Sequence, residues 1–111
     1  MQYVDGYNVC FTLDLGGDSL EEERETLLSL LKGQPLIVVF DAPEFSRTHR
    51  GELEIVYSDN TADAYILSEL ERLTPNRHTV VTADRGLADA ARALGAKIIP
   101  PHEFLAKLRK R

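Results

Sequence analysis

The sequence predicts a three-layer α/β/α sandwich on a mainly parallel sheet of about five strands, with residues 1–111 as one domain. Two patterns and the length support this. Short, continuously apolar runs alternate with amphipathic helical stretches, as expected for parallel strands covered on both faces. Three of those runs deliver an aspartate. Tyr3-Val4 runs into Asp5, Leu36-Ile37-Val38-Val39-Phe40 into Asp41, and Thr79-Val80-Val81-Thr82-Ala83 into Asp84. A chain of 111 residues can build one core, burying roughly two-thirds of its unfolded surface.

The first strand ends at Asp5, where Gly6 is expected to let the chain turn sharply away. From Asn8 the chain is expected to run through Gly16 and Gly17 to a first helix. Ser19 and Glu22 have capping-box spacing there, and Leu20, Leu27, Leu28 and Leu31 recur at helical intervals. Gly33 and Pro35 stop that helix. Residues 36–40 read as a buried strand. Asp41-Ala42-Pro43 then opens a polar loop to Gly51, and the alternation of residues 52–57 predicts an edge strand exposed on one side.

A second helix spans Thr61 to about Leu73, broken by Thr74-Pro75-Asn76. Its inward stripe is Ile66, Leu67, Leu70 and Leu73, and one turn back that stripe lands on Asp63. A third helix after Asp84 turns Leu87, Ala90, Ala91 and Leu94 inward and closes at Gly95. Residues 97–99 form a last strand, and Pro100-Pro101 leads into a helix carrying Phe104, Leu105 and Leu108. The expected order is β-α-β-β-α-β-α-β-α.

Composition narrows the function classes. The net charge of −5 argues against a general nucleic-acid binder, but the charges are uneven. Glu21, Glu22, Glu23 and Glu25 read as a solvated helix face. Arg47, His49 and Arg50 make a basic loop, with Lys107, Arg109, Lys110 and Arg111 as a basic tail. The lone Cys10 cannot form an internal disulfide, which fits a cytoplasmic protein. No apolar run reaches a membrane span, and the N-terminus does not read as a signal peptide.

Sites in open parallel sheets form outside the carboxyl ends of the strands, where Asp5, Asp41 and Asp84 should meet Asp63. Carboxylates at ~4 Å repel by about 4 kcal/mol per pair at an effective dielectric near 20. Such a cluster holds a cation or takes up protons. Oxygen-only ligands favour Mg²⁺ or Mn²⁺, suited to phosphodiester hydrolysis. Each acid also has a plainer reading. Asp84 can cap the helix at Arg85, Asp41 can be a turn residue, Asp5-Gly6 a tight turn, and Asp63 a favourable charge on a helix dipole. Asn8 can bond local backbone, Tyr7 can pack, and His49 can be a solvated loop residue.

Asp5-Gly6-Tyr7-Asn8, Val39-Phe40-Asp41-Ala42, Thr61-Ala62-Asp63-Ala64-Tyr65-Ile66 and Val80-Val81-Thr82-Ala83-Asp84-Arg85 stand in the order found in NYN domains. Gly95-Ala96-Lys97-Ile98-Ile99 and His102-Glu103-Phe104-Leu105 extend the likeness over nearly the whole chain, which most resembles the YacP-like branch. That resemblance implies a PIN-like fold and a metal-dependent endoribonuclease. It makes Asp5, Asp63 and Asp84 core ligands of Mg²⁺ or Mn²⁺, with Asp41 completing the catalytic pocket. Asn8 would orient a ligand or touch the substrate phosphate, and Arg47, Arg50 and Arg85 are candidate phosphate contacts. The implied partner is single-stranded RNA, presented by a ribosome or another protein, with no membrane. Two departures stand out. Family members often carry serine or threonine where this chain has Ala83, which would weaken support for Asp84. The chain is also short in its mid-chain loop and C-terminus, which would remove substrate-binding surface.

Two other classes fit some of these features. A silent NYN-like domain could bind RNA or protein without cutting. A receiver-like domain phosphorylated on Asp41 would want paired acids after the first strand, where this chain has only Asp5.

Overall fold

Alternation along the central strands sorts the core into two halves. The computed structural model describes residues 1–73 and 77–109. Its elements are β1 (Gln2–Asp5), α1 (Gly6–Leu13), α2 (Leu20–Leu31), β2 (Ile37–Asp41), β3 (Ser46–Arg50), β4 (Leu53–Ser58), α3 (Ala62–Leu73), β5 (Thr79–Val81), α4 (Arg85–Ala93), β6 (Lys97–Ile99) and α5 (Pro101–Arg109). The expected break at Thr74-Pro75-Asn76 and the basic residues Lys110 and Arg111 lie outside the described residues.

The sheet has six strands in the order β3-β4-β2-β1-β5-β6, all parallel except the β3–β4 pair. Val4, Val38, Phe40, Ile55 and Val81 face Leu27, Leu28, Leu31 and Phe104 of α2 and α5. Their neighbours Tyr3, Val39, Val56 and Val80 face Ile66, Leu70, Leu87 and Ala91 of α3 and α4. Helices therefore cover both faces, and the predicted sandwich is the observed one. No helix among the described residues is long and apolar enough to cross a membrane.

The strand count differs from the expected five because residues 46–50 pair rather than loop. Gly51, at φ 63°, sits first in a two-residue turn that returns the chain from Arg50 to Leu53. All five residues of β3 are exposed, so β3 and not β4 is the edge. β4 lies inside, with Leu53, Ile55, Val56 and Ser58 buried. Charged and polar side chains protect the new edge from pairing with other chains.

The second difference is α1, which occupies part of the expected loop. Gly6 has no positive φ, so conformational freedom is not its role. A Cβ at this position would run into the Phe40 ring and the Val39 carbonyl. Glycine is there to let the start of α1 touch β2. In α2, Ser19 caps as expected, its hydroxyl accepting the Glu22 N–H, but Glu22 Oε2 accepts from Asp18 N. Leu20, placed on the inward stripe, is 62% exposed because it precedes the packed turns of α2. In α4 it is Ala88 rather than Ala90 that joins Leu87 and Ala91 in the core.

Candidate active site

The strand period sends Tyr3 and Asp5 to one face of the sheet, and with them Ile37, Val39 and Asp41. That is the face covered by α3 and α4. Asp63 stands in the first turn of α3, and Asp84 is the N-cap residue of α4. Connections run from β1 toward β2 and β4, then cross back to β5 and β6, so strand order reverses beside β1. The carboxyl edge at such a reversal leaves a crevice. Here it is a cleft of about 260 Å³ lined by all four aspartates, with Tyr7, Asn8, Thr61 and Ala62 completing the wall.

Three of the four carboxylates have one oxygen tied to the scaffold. Asp5 Oδ2 accepts from the Thr82 hydroxyl at 2.9 Å. Asp41 Oδ1 accepts from Ala62 N at 2.6 Å and so holds the start of α3. Asp84 Oδ1 accepts from Leu87 N at 3.0 Å, the helix cap that the plainer reading of this residue expects. Capping and site formation are compatible, because each tether uses one oxygen and orients the other. Asn8 lies on α1, and its Oδ1 accepts from Ala83 N at 2.7 Å. Its carboxamide thus pins the loop before Asp84 rather than its own backbone. Tyr7 packs on Phe40, with ring centroids 4.9 Å apart.

Asp5 is 6% exposed, and burial pushes its carboxyl up to about 6. The Thr82 hydrogen bond opposes this, while Asp63, Asp84 and Asp41 add to it. Asp63 is raised too, by burial and then by Asp84 and Asp41. No basic side chain lines the cleft among the described residues.

The expected phosphate contacts are not gathered here. β3 runs antiparallel to β4, so Ser46 lies beside Tyr57 at the carboxyl edge while Arg50 lies beside Leu53 at the far end. There Arg50 pairs with Glu25 at 2.9 Å. Arg47 is engaged by Glu54 at 3.1 Å and donates to the Tyr65 hydroxyl at 2.7 Å. His49, expected as a solvated loop residue, is exposed but has Glu54 at 3.6 Å, supplied by the unforeseen hairpin. Arg85 alone of these candidate arginines stands next to the site, at the first position of α4.

Thr82 is the site residue that sequence reasoning missed. It answers the departure at Ala83: its Oγ1 also accepts from Asp84 N at 3.0 Å, so support comes from one residue earlier. Pairing of Val4 with Val81 sets Thr82 beside Asp5, and only that register reveals it.

The donor set is all oxygen, which suits a hard divalent cation. Among the described residues no three acidic, histidine or cysteine side chains are drawn together into a ready-made ligand cage. An ion held here would take one or two carboxylates directly and reach the others through its own waters, as Mg²⁺ commonly does.

The family model described as "YacP-like NYN domain" matches residues 3–111. The crystal structure of Rae1 (YacP) from Bacillus subtilis is similar, with 26% identity and a TM-score of 0.71 over 99% of this chain and 74% of that one. A point mutant of the same Bacillus subtilis protein gives 28% identity and a TM-score of 0.73, covering 98% of this chain and 74% of that one. Among curated proteins none matches the chain.

Proposed function

The chain belongs to the YacP-like NYN domain family, a nuclease-like type, and from that premise we propose that its acidic cleft hydrolyses RNA phosphodiester bonds with a divalent metal. The observation that carries this reading is the convergence of Asp5, Asp41, Asp63 and Asp84 from four elements onto one cleft that no basic side chain lines among the described residues. A carboxylate held up to about 6 is costly to keep without a cation.

Asp5, Asp63 and Asp84 would hold Mg²⁺ or Mn²⁺, one or two of them directly and the rest through the ion's waters, with Asp41 completing the pocket. Bound there, the ion would supply an activated water and neutralise charge on the leaving oxygen. The chain's own part is orientation. Thr82, Ala62 N and Leu87 N fix one oxygen of Asp5, Asp41 and Asp84, leaving the second oxygen of each available to the cleft. Such prior positioning is what separates a working site from a loose cluster of acids. The products would carry 5′-phosphate and 3′-hydroxyl ends. Single-stranded RNA is the proposed substrate, with a ribosome or another protein as presenter. A receiver-like role is displaced by the family match and by Asp41 itself, one oxygen of which holds α3.

Cleavage of end-labelled single-stranded RNA with Mn²⁺, with Mg²⁺ and with EDTA tests the proposal, alongside Asp63→Asn protein. Metal-dependent cutting that disappears in the variant is expected. Equal cutting by the variant would overturn the assignment. Binding without cutting in either metal would leave a silent RNA-binding domain.

A further inference from the structure

Next to the acidic cleft lies a larger groove of about 660 Å³. Thr82 and Ala83 line its head, and the next residue, Asp84, lines the cleft, so one begins where the other ends. One wall is a face of α4 bearing Arg85, Ala88, Asp89 and Arg92, so its two cations outnumber its one carboxylate; Ile98 and Pro100, at the end of edge strand β6, line it as well. The two arginines are seven residues apart, hence two turns and about 10 Å along the helix axis. That spacing suits two phosphates of one strand.

The cations here have free capacity that others at this edge lack. Among the described residues Arg85 forms no ion pair, and Arg92 pairs only with Asp89 at 3.3 Å, where both side chains are well exposed. An exposed pair of this kind contributes little and yields readily to a phosphate. Arg24, beside a second groove at Tyr57 and Ser46, is different: its guanidinium donates to Tyr7 and lies over the Tyr57 ring. In a chain of net charge −5, a nucleic acid needs such a local cationic strip. The volume suits one or two nucleotides. Arginines on one side and Ile98 with Pro100 on the other match a single strand, whose unpaired bases can turn onto the protein while its phosphates meet arginine.

We propose that this groove is a subsite for the single-stranded RNA flanking the cleaved bond, one base lying against Ile98 and Pro100 and two phosphates on Arg85 and Arg92. The assignment rests on RNA being the substrate of the acidic cleft, so the test separates the two.

Binding of a fluorescein-labelled single-stranded oligoribonucleotide to the Asp63→Asn protein is measured over a range of salt concentrations, with and without Arg85→Ala/Arg92→Ala, while cleavage is followed separately in protein that retains Asp63. The double variant is expected to bind several-fold more weakly at low salt. The slope of log affinity against log salt should shrink by about 1.4, at roughly 0.7 for each single-strand phosphate that is no longer neutralised. Arg92→Lys, which keeps the charge, should retain its share of the slope. Metal-dependent cleavage with binding and slope unchanged in the double variant overturns the groove and leaves the acidic site standing. Absence of cleavage with binding that still depends on both arginines leaves an RNA-binding groove but overturns its placing beside a cleaved bond, together with the nuclease reading. Failure of the parent protein to bind RNA overturns the groove, and the nuclease reading falls with it only where cleavage is absent too.

Discussion

The hydroxyl of Thr82 stands between two of the acids, 2.9 Å from Asp5 Oδ2 and 3.0 Å from the backbone N–H of Asp84. It donates to the first and accepts from the second, so a single buried side chain ties the end of β1 to the start of α4. Asn8 Oδ1, at 3.2 Å, is a second possible acceptor for the same hydrogen. Replacing Thr82 by valine keeps the shape and removes the hydroxyl. Asp5 then loses a hydrogen bond that lowers its pKa, and Asp84 N loses an acceptor. Thr82→Val is expected to cost about 1–3 kcal/mol in stability and to shift the acid limb of the cleavage rate to higher pH. Denaturant unfolding and a pH–rate profile check the two effects.

Asp5 also makes the stability of the metal-free protein depend on pH. The folded chain holds this proton up to about pH 6, while the unfolded chain releases it near 3.8. Between those values unfolding releases a proton, so stability falls as pH rises through the window. The difference corresponds to about 3 kcal/mol, and Asp63, raised for similar reasons, acts in the same direction. In EDTA, Asp5→Asn protein is expected to gain on the parent as pH rises from about 4 to about 6 and to be the more stable at pH 7. Adding Mn²⁺ at pH 7 should raise the parent's melting temperature and leave the variant's nearly unchanged. Denaturant unfolding at each pH measures the first; a difference between the two proteins that stays flat with pH would show that Asp5 is not perturbed.

What the chain disclosed and what it hid follow from burial and register. The strands β1, β2 and β5 were legible because both faces are covered, which demands continuous apolar runs. The acids were legible because each sits at the end of such a run or on an inward helical stripe. By contrast, β3 is Ser46-Arg47-Thr48-His49-Arg50, polar throughout because neither of its faces is buried. α1 has no side-chain cap, opens with glycine and buries only Gly6, Val9 and Cys10, while Phe11 is 84% exposed, so its periodicity is faint. Missing β3 also misplaced Arg50, since a hairpin carries it away from the carboxyl edge that a loop would have left within reach. Thr82 needed the pairing register of β1 with β5, which no local pattern encodes.

Gly6 tests whether close packing sets the position of Asp5 and Asn8. Its substitution by alanine would not strain the backbone, because φ here is ordinary; it would drive a methyl group into Phe40 and the Val39 carbonyl. Relief requires α1 to move away from β2, taking Asn8 and its bond to Ala83 with it. Gly6→Ala is expected to lose at least about 2 kcal/mol of stability through overpacking, and activity should fall even below the unfolding transition. Gly33, with positive φ and no atom near the added methyl, makes an informative contrast. Gly33→Ala should cost stability through backbone strain alone and leave the cleft's activity intact. Unfolding curves and cleavage rates on the two variants distinguish these outcomes.

Asp84 serves two ends, and two substitutions separate them. As N-cap of α4 it needs only an acceptor for Leu87 N, which asparagine also provides. As a member of the acidic cleft it needs a negative charge, which asparagine removes. Asp84→Asn is therefore expected to keep the parent's stability within a few tenths of a kcal/mol, or to exceed it slightly at neutral pH, since one source of repulsion on Asp5 and Asp63 is gone. Its metal-dependent cleavage should be lost. Asp84→Ala should lose cleavage as well and in addition about 1 kcal/mol of stability with the cap. Denaturant unfolding combined with an RNA cleavage assay reads both. Equal loss of stability in the two variants would mean that the carboxylate's charge, rather than its hydrogen bond, holds α4. Retained cleavage in Asp84→Asn would take Asp84 out of the catalytic set and leave it a helix cap.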